Sequence, residues 1–249
     1  MVSIICCTIR EQFMENVFQN YDNQTIENKE LIIILNDKDM DLASWRTRAA
    51  NSKNVTVYRM PKFTLGECLN FGITNSRYDI IAKYDDDDYY APNYLADQVK
   101  LLQRKHADMV CKRTVFMYFE EKKTLAIHLD HFKVNRFIER NRGVKGSTLV
   151  FHKKMWKHVK FDPVNSGEDS SFLKKCLKKK YKIFAANRFN YVCIRRNEKD
   201  HTWKSNNNKL LKRSKPLSIT EEYKQVAERV KKLRDNKDQE VKKAQDSII

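Results

Sequence analysis

The sequence predicts an α/β protein with a mixed, mainly parallel central sheet flanked by helices. Three observations lead there. Apolar, β-branched runs of strand length recur at residues 2–7, 31–35, 55–58 and 79–84; segments with apolar residues at helical spacing lie between them; and the alternation starts at the N-terminus. That order is the pattern of right-handed β-α-β crossovers, which build a parallel sheet buried on both faces.

Each element follows from a local signal. Residues 2–7 (VSIICC) read as a buried strand, and Phe13 and Val17 mark the helix after it. The second strand ends in Asn36 and Asp37, and Pro61 closes the third. A helix over about 65–75 leads to the fourth strand, whose carboxyl end runs straight into Asp85, Asp86, Asp87 and Asp88. Pro92 suits the first turn of a helix over 93–104. Short β-like runs at 109–111, 115–119 and 125–128 predict antiparallel additions to the sheet, and 146–151 predicts a further strand. A helix over about 169–180 precedes two more strands, at 183–185 and 191–194. Beyond Trp203 the chain turns Lys- and Asn-rich, so a basic linker is expected over 204–217. Ser218 and Glu221 have capping-box spacing, and Ile219, Tyr223, Val226, Val230 and Leu233 share one helical face. An amphipathic, basic helix over 218–249 is therefore expected as a C-terminal helical extension, able to pack on the domain or on a second copy as a homo-oligomer contact.

The 249 residues suffice for one large core, and 49 Lys and Arg against 32 Asp and Glu give a net charge of +17. With only five glycines and four prolines, collagen-like and low-complexity chains are excluded. No apolar run approaches the roughly 20 residues of a membrane span. Met1 leads directly into the first strand with no basic leader, so a cytoplasmic protein is expected, peripheral at the inner membrane face. The six cysteines show no C-x-x-C spacing and read as reduced, buried hydrophobes.

In parallel sheets ligands bind outside the carboxyl ends of the strands. Thr8 to Arg10, Asn36 with Asp37, and the aspartate run all lie just past such ends. Four consecutive carboxylates flanked by Tyr84, Tyr89 and Tyr90 repel one another unless a cation compensates. Mg²⁺ or Mn²⁺ would do so, taking one or two protein carboxylates and completing its shell with phosphate and water. A solvated acidic loop that starts the next helix is the plainer alternative.

Several short motifs occur together along the chain: Val2 to Thr8, the Asp37 turn, Asn70-x-Gly72-Ile73, Ile81 to Asp88, Gly146 to Phe151, and Gly167-Glu168-Asp169. In their order and spacing the chain resembles family 2 glycosyltransferases of the GT-A (Rossmann-like) fold over about residues 2–203, with a donor-binding half over about 1–105 and an acceptor and catalytic half over about 106–203. The resemblance implies an inverting, metal-dependent transfer from a nucleotide-diphosphate sugar, with UDP the expected nucleotide. Thr8 and Arg10 then resemble the first nucleotide-contacting loop, and Asp37 the carboxylate that reads the base. Asp85 or Asp86 with Asp87 matches the D-x-D signature, the earlier carboxylate facing ribose and Asp87 ligating the metal; Asp85 is the second metal candidate. Asp169 resembles the general base, with Glu168 as runner-up and a helix N-cap as the plainer role. Arg195, Arg196 and His201 resemble the family's closing segment, the arginines toward diphosphate and His201 toward metal or phosphate, while Trp203 reads as a packing residue. Leu69 stands where many relatives carry Arg, which leaves Lys83 or Arg77 to make that donor contact. Cys7 stands where Pro is usual.

A sugar hydroxyl is a weak nucleophile near neutral pH, so a positioned carboxylate must take its proton, and a departing diphosphate needs positive charge. Two other classes compete. A nucleic-acid-binding protein would use the charge, but no RNP or helix-turn-helix pattern accompanies it, and the aspartates would repel phosphate. A nucleotidyltransferase would carry a Gly-rich basic loop after the first strand, where this chain has Thr8-Ile9-Arg10-Glu11-Gln12. The surplus lysines, Lys153 to Lys160 and Lys174 to Lys182, fall in the second half and suit an anionic acceptor: a glycan, a lipid-linked sugar or polymer, or the membrane surface.

Overall fold

The computed structural model describes residues 1–197 and 205–228. Its larger sheet opens with β1 (Val2–Thr8), β2 (Lys29–Leu35), β3 (Val55–Arg59) and β4 (Ile80–Tyr84), all parallel, joined by α1 (Met14–Asp22), α2 (Leu42–Ala49) and α3 (Leu65–Thr74). Two of these helices begin on side-chain caps. Asp41 accepts the N–H groups of Ala43 and Ser44 at the start of α2, and Thr64 with Glu67 forms a capping box at α3.

After the two-residue β5 (Tyr89–Tyr90) comes α4 (Tyr94–Arg104), and then β6 (Met109–Lys112) returns to the same sheet. β7 (Val115–Phe119) and β8 (Thr124–His128) form a hairpin in a second sheet, so only part of the 107–128 region extends the first one as expected. β9 (Arg136–Phe137), β10 (Val150–His152) and, after α5 (Lys153–His158) and α6 (Glu168–Lys178), β11 (Ile183–Ala186) complete the first sheet. Its order is β3-β2-β1-β4-β10-β6-β11-β9, with β10 antiparallel to both neighbours. Residues 146–148, expected to be strand, are instead a 3-10 turn leading into β10.

β12 (Tyr191–Arg195) lies between β7 and β5 in the second sheet. The segment expected to be a linker is folded: 207–212 is α7 (Asn207–Lys212), and β13 (Ser214–Ile219) pairs antiparallel with β8. Pro216 is tolerated because β13 is an edge strand with a register shift between Pro216 and Ser218. Ser218 thus lies in a strand, Ile219 is 82% exposed, and helix starts only at α8 (Tyr223–Glu228). The described part of this last helix packs inward, with Ala227 and Tyr223 against Tyr89, Tyr118 and Val192. Residues 229–249, the rest of the expected amphipathic helix, lie outside the described residues.

Alternation along the central strands fills two cores. Ile4, Cys6, Leu31, Ile33 and Leu35 face the α1, α2 and α4 side, while Ile5, Ile32 and Ile34 face α3 and α6. Every one of these is at most 2% exposed, as a parallel sheet covered on both faces requires. All six cysteines are free. Among the described residues no helix is long and apolar enough to cross a membrane.

Candidate active site

Register brings the strand ends out together. Thr8 lies opposite Leu35, and Cys6 opposite Tyr84, so Thr8, Asn36 and Asp85 emerge at one edge of the sheet. Here a cavity of about 780 Å³ opens, walled by Thr8 to Arg10, the four aspartates, the 144–147 segment, the start of α6 and the end of β12.

Four adjacent aspartates are tolerated because each has its own environment. Asp88 is turned inward, accepting from the Tyr191 hydroxyl and from Ile194 N–H at 3.1 Å, while its carbonyl accepts from Asn16 and Asn20. Burial, then the charges of Asp87 and Asp85, raise its pKa to about 7. Ser147 donates to Tyr191 at 2.7 Å, and Tyr90 donates to the Ser147 carbonyl at 2.8 Å, so the acidic loop, the 3-10 turn and β12 form one network. Asp86, also buried, accepts from Thr8 Oγ1 at 2.5 Å and from the Arg10 guanidinium. Burial raises its pKa and Arg10 opposes the rise. Asp87 meets the same guanidinium at 3.0 Å. Asp85 is the most open of the three that face the cavity, its side chain 41% exposed and 2.6 Å from Lys83 Nζ.

Lys83 is a buried cation between Asp85 and Glu168. Burial disfavours its charge, but Asp85, Glu168 and Asp169 outweigh that and raise its pKa. Glu168, 4.0 Å from Lys83 and 5% exposed, has its own pKa raised by burial. Gly167, with φ of 82°, turns the chain into α6 so that Glu168 and Asp169 occupy its first turn at the cavity wall. Asp169 lies against Gly146: a Cβ there would fall 2.7 Å from the Asp169 carboxyl carbon and overlap its oxygen. Its Oδ1 also accepts the Ser170 N–H at 2.6 Å.

The structure thus gathers Thr8, Arg10, Lys83, Asp85, Asp86, Asp87, Glu168, Asp169 and Arg195 around one cavity. Asp37 is not part of its wall; it closes a local turn by accepting the Asp39 N–H at 2.8 Å, and Asn36 takes the place at the edge. Arg195 lines the cavity while bonding Asn207 Oδ1 at 2.9 Å and the Ser205 carbonyl at 2.8 Å. Arg196 stands behind Asp87, donating to its carbonyl at 2.7 Å, and both Arg196 and Arg10 stack on the Phe13 ring, 4.7 and 4.8 Å from its centre. Arg77 is turned away to Glu30. His201 and Trp203 lie outside the described residues. Asn16, Asn20, Ser147, Tyr191 and Lys145 complete the site without having been singled out; only the tyrosines flanking the aspartates hinted at the polar network beneath.

Among the described residues no three His, Cys, Asp or Glu side chains are grouped to hold a metal unaided. Asp85 and Asp87 nevertheless offer hard carboxylate oxygens to one cavity, a donor set that fits Mg²⁺ or Mn²⁺ sharing its shell with a diphosphate.

The chain is similar to known proteins. The chain is 28% identical over 159 residues to the O-antigen biosynthesis glycosyltransferase WbnJ of Escherichia coli, a match covering 61% of this chain and 62% of that protein. It therefore spans less than two thirds of that relative's length. Among solved structures, S. aureus TarS 1-349 in complex with UDP-GlcNAc superposes with a TM-score of 0.58 at 14% identity, over 78% of this chain and 58% of the other. The mannosyltransferase PcManGT from Pyrobaculum calidifontis, in complex with GDP-Man and Mn²⁺, gives 0.59 at 16% identity, over 78% and 56%. These share the GT-A fold. Residues 3–157, which carry the strand ends and the aspartate run, match the family described as Glycosyl transferase family 2, and the chain belongs to that family.

Proposed function

We propose that the protein transfers a sugar from a nucleotide-diphosphate donor to an acceptor hydroxyl of a glycan, with inversion at the anomeric carbon. The observation that carries this is the meeting, in one cavity, of the Asp85 to Asp87 carboxylates with Glu168 and Asp169 at the start of α6. The cocrystallised UDP-GlcNAc and GDP-Man of the similar structures support a nucleotide-sugar donor, and UDP is the proposed nucleotide.

Asp87, with Asp85, would hold a divalent ion together with the diphosphate, and that ion would neutralise charge growing on the leaving phosphate. Arg10 holds Asp86 and Asp87 in place and keeps their charges from driving the loop apart. Lys83 fixes Asp85 and places positive charge near the diphosphate. Asp169 is the proposed base. It is the more accessible of the two acids on α6, whereas Glu168 is buried beside Lys83. It would accept the acceptor hydroxyl's proton as the new glycosidic bond forms and the bond to diphosphate breaks.

Calorimetric titration of UDP and GDP, with Mn²⁺ or with EDTA, into the wild type and Asp87→Ala tests the reading. Metal-dependent binding of one nucleotide, weakened at least about a hundredfold in the variant, is the expected result. Equal binding in EDTA, or an unaffected variant, overturns the metal role; no nucleotide binding overturns the donor site.

A further inference from the structure

A second cavity, of about 500 Å³, lies on the other side of the 144–145 segment. His128 and Leu129 at the end of β8 form one side, and Lys209, Leu210 and Arg213 of the α7 region the other. Val144 and Lys145 line both this cavity and the donor cavity, so the two share a wall. Arg195 ties them further, since it lines the donor cavity and holds Ser205 and Asn207 at the start of α7.

The lining is one-sided in charge. Among the described residues Lys145, Lys209 and Arg213 contribute to it and no carboxylate does. Among the described residues neither Lys209 nor Arg213 has a carboxylate partner. Two of the three cations act on His128: burial, then Lys145 and Arg213, lower its pKa to about 3. His128 Nδ1 is 3.0 Å from Ser214 Oγ, which itself donates to the Leu210 carbonyl, so Nδ1 carries the proton of a neutral ring. Lys209 and Arg213, brought together over a concave surface with no carboxylate partner among the described residues, create a potential that an anion relieves. The apolar floor of Leu129, Val144 and Leu210 reduces competition from water. Moreover, Ser205, Asn206, Lys209, Leu210 and Arg213 lie beyond residues 3–157 that match the family, so half of the lining falls outside the matched span.

We propose that this second cavity binds a phosphate or phosphodiester group carried by the acceptor, and so positions the acceptor hydroxyl toward Asp169. The acceptor part of this statement rests on the glycosyl-transfer reading; the anion site does not. The test uses inorganic phosphate as probe, titrated calorimetrically into protein already saturated with UDP and Mn²⁺, so that the donor cavity is filled. The wild type is expected to bind phosphate, and Lys209→Glu with Arg213→Glu, both exposed positions, to bind it at least about tenfold more weakly with UDP affinity unchanged. Phosphate binding that disappears once UDP is bound, or that the double variant retains, overturns the proposal. If UDP fails to bind the wild type, the same titrations without it still decide the anion site, while the transfer reading falls separately. Competition by glycerol 3-phosphate points to a soluble phosphorylated acceptor; competition only by phosphatidylcholine vesicles containing phosphatidic acid points to a lipid-borne phosphate.

Discussion

In the first half of the molecule, β1 and β4 run side by side, Ser3 opposite Ile81 and Cys6 opposite Tyr84, so Thr8 and Asp85 leave the sheet at the same edge. Their positions follow from strand register alone. In the second half β10 is reversed, and the facing wall is delivered by a 3-10 turn at Gly146–Thr148 and by a helix start after Gly167. The proposed binding groups therefore leave the ends of parallel strands, Thr8 at the end of β1 and the aspartates in the turn after β4, whereas the proposed acids stand in the first turn of α6. Strand ends can hold a diphosphate in fixed geometry, whereas the loop that leads into α6 can vary with the acceptor without disturbing them.

The sharpest way to break this division is at α6. Asp169→Asn is expected to lower kcat by about a thousandfold while nucleotide affinity stays within about twofold, because a base acts on the reaction and not on donor binding. Glu168→Gln is expected to lower kcat less and to weaken nucleotide binding as well, since it removes a charge beside Lys83 and Asp85. Steady-state rates together with calorimetry separate the two. A Glu168→Gln variant that loses more rate than Asp169→Asn would exchange their roles.

Two glycines sharpen the comparison, one in each half. At Gly146 a Cβ would overlap the Asp169 carboxylate, so Gly146→Ala is expected to push that group aside and cost about a hundredfold in kcat, with little loss of stability. At Gly72 a Cβ would lie 2.7 Å from Ile5 Cγ2 and 3.1 Å from Ile34 Cδ1, inside the packed face between α3 and the sheet. Gly72→Ala is expected to cost about 1–3 kcal/mol of stability, read by denaturant unfolding, and to leave the rate per folded molecule unchanged. A Gly72→Ala enzyme that folds normally but turns over slowly would show that the two halves are not separable.

The same division explains what the sequence could reveal. Continuous apolar runs such as 31–35 are legible because a strand buried on both faces has no other composition available. α2 escaped because only Trp45 and Ala49 of its eight residues are buried, which leaves almost no periodic signal beyond the Asp41 cap. β13 escaped because an exposed edge strand can carry Lys215 and Pro216, the residues that ordinarily mark a linker. At the site, the aspartate run stood out by chemistry and Glu168–Asp169 by the family resemblance, but which carboxylate turns inward did not. That choice depends on Tyr191, Ile194, Asn16 and Asn20, which reach Asp88 from other elements.

Lys112, where β6 ends and the chain crosses toward the second sheet, gives the smallest effect and probes the seam between the halves. Its ammonium is 2% exposed, donates to the Asn187 carbonyl at 2.7 Å and lies 5.6 Å from the centre of the Tyr94 ring. Burial lowers its pKa from 10.5 to about 7, with Asp97 opposing. Between those two values the unfolded chain holds a proton that the native state does not, so stability rises with pH across this window, by at most about 1.4 kcal/mol per pH unit. From about pH 7 to about pH 8.5 the gain is on the order of 2 kcal/mol. Lys112→Met has no proton to release there, so the difference in unfolding free energy between variant and wild type should shift by that amount in the variant's disfavour as pH rises. Parallel pH profiles for the two proteins would mean that Lys112 keeps its proton in the fold, and that the seam between the sheets is wetter than its burial indicates.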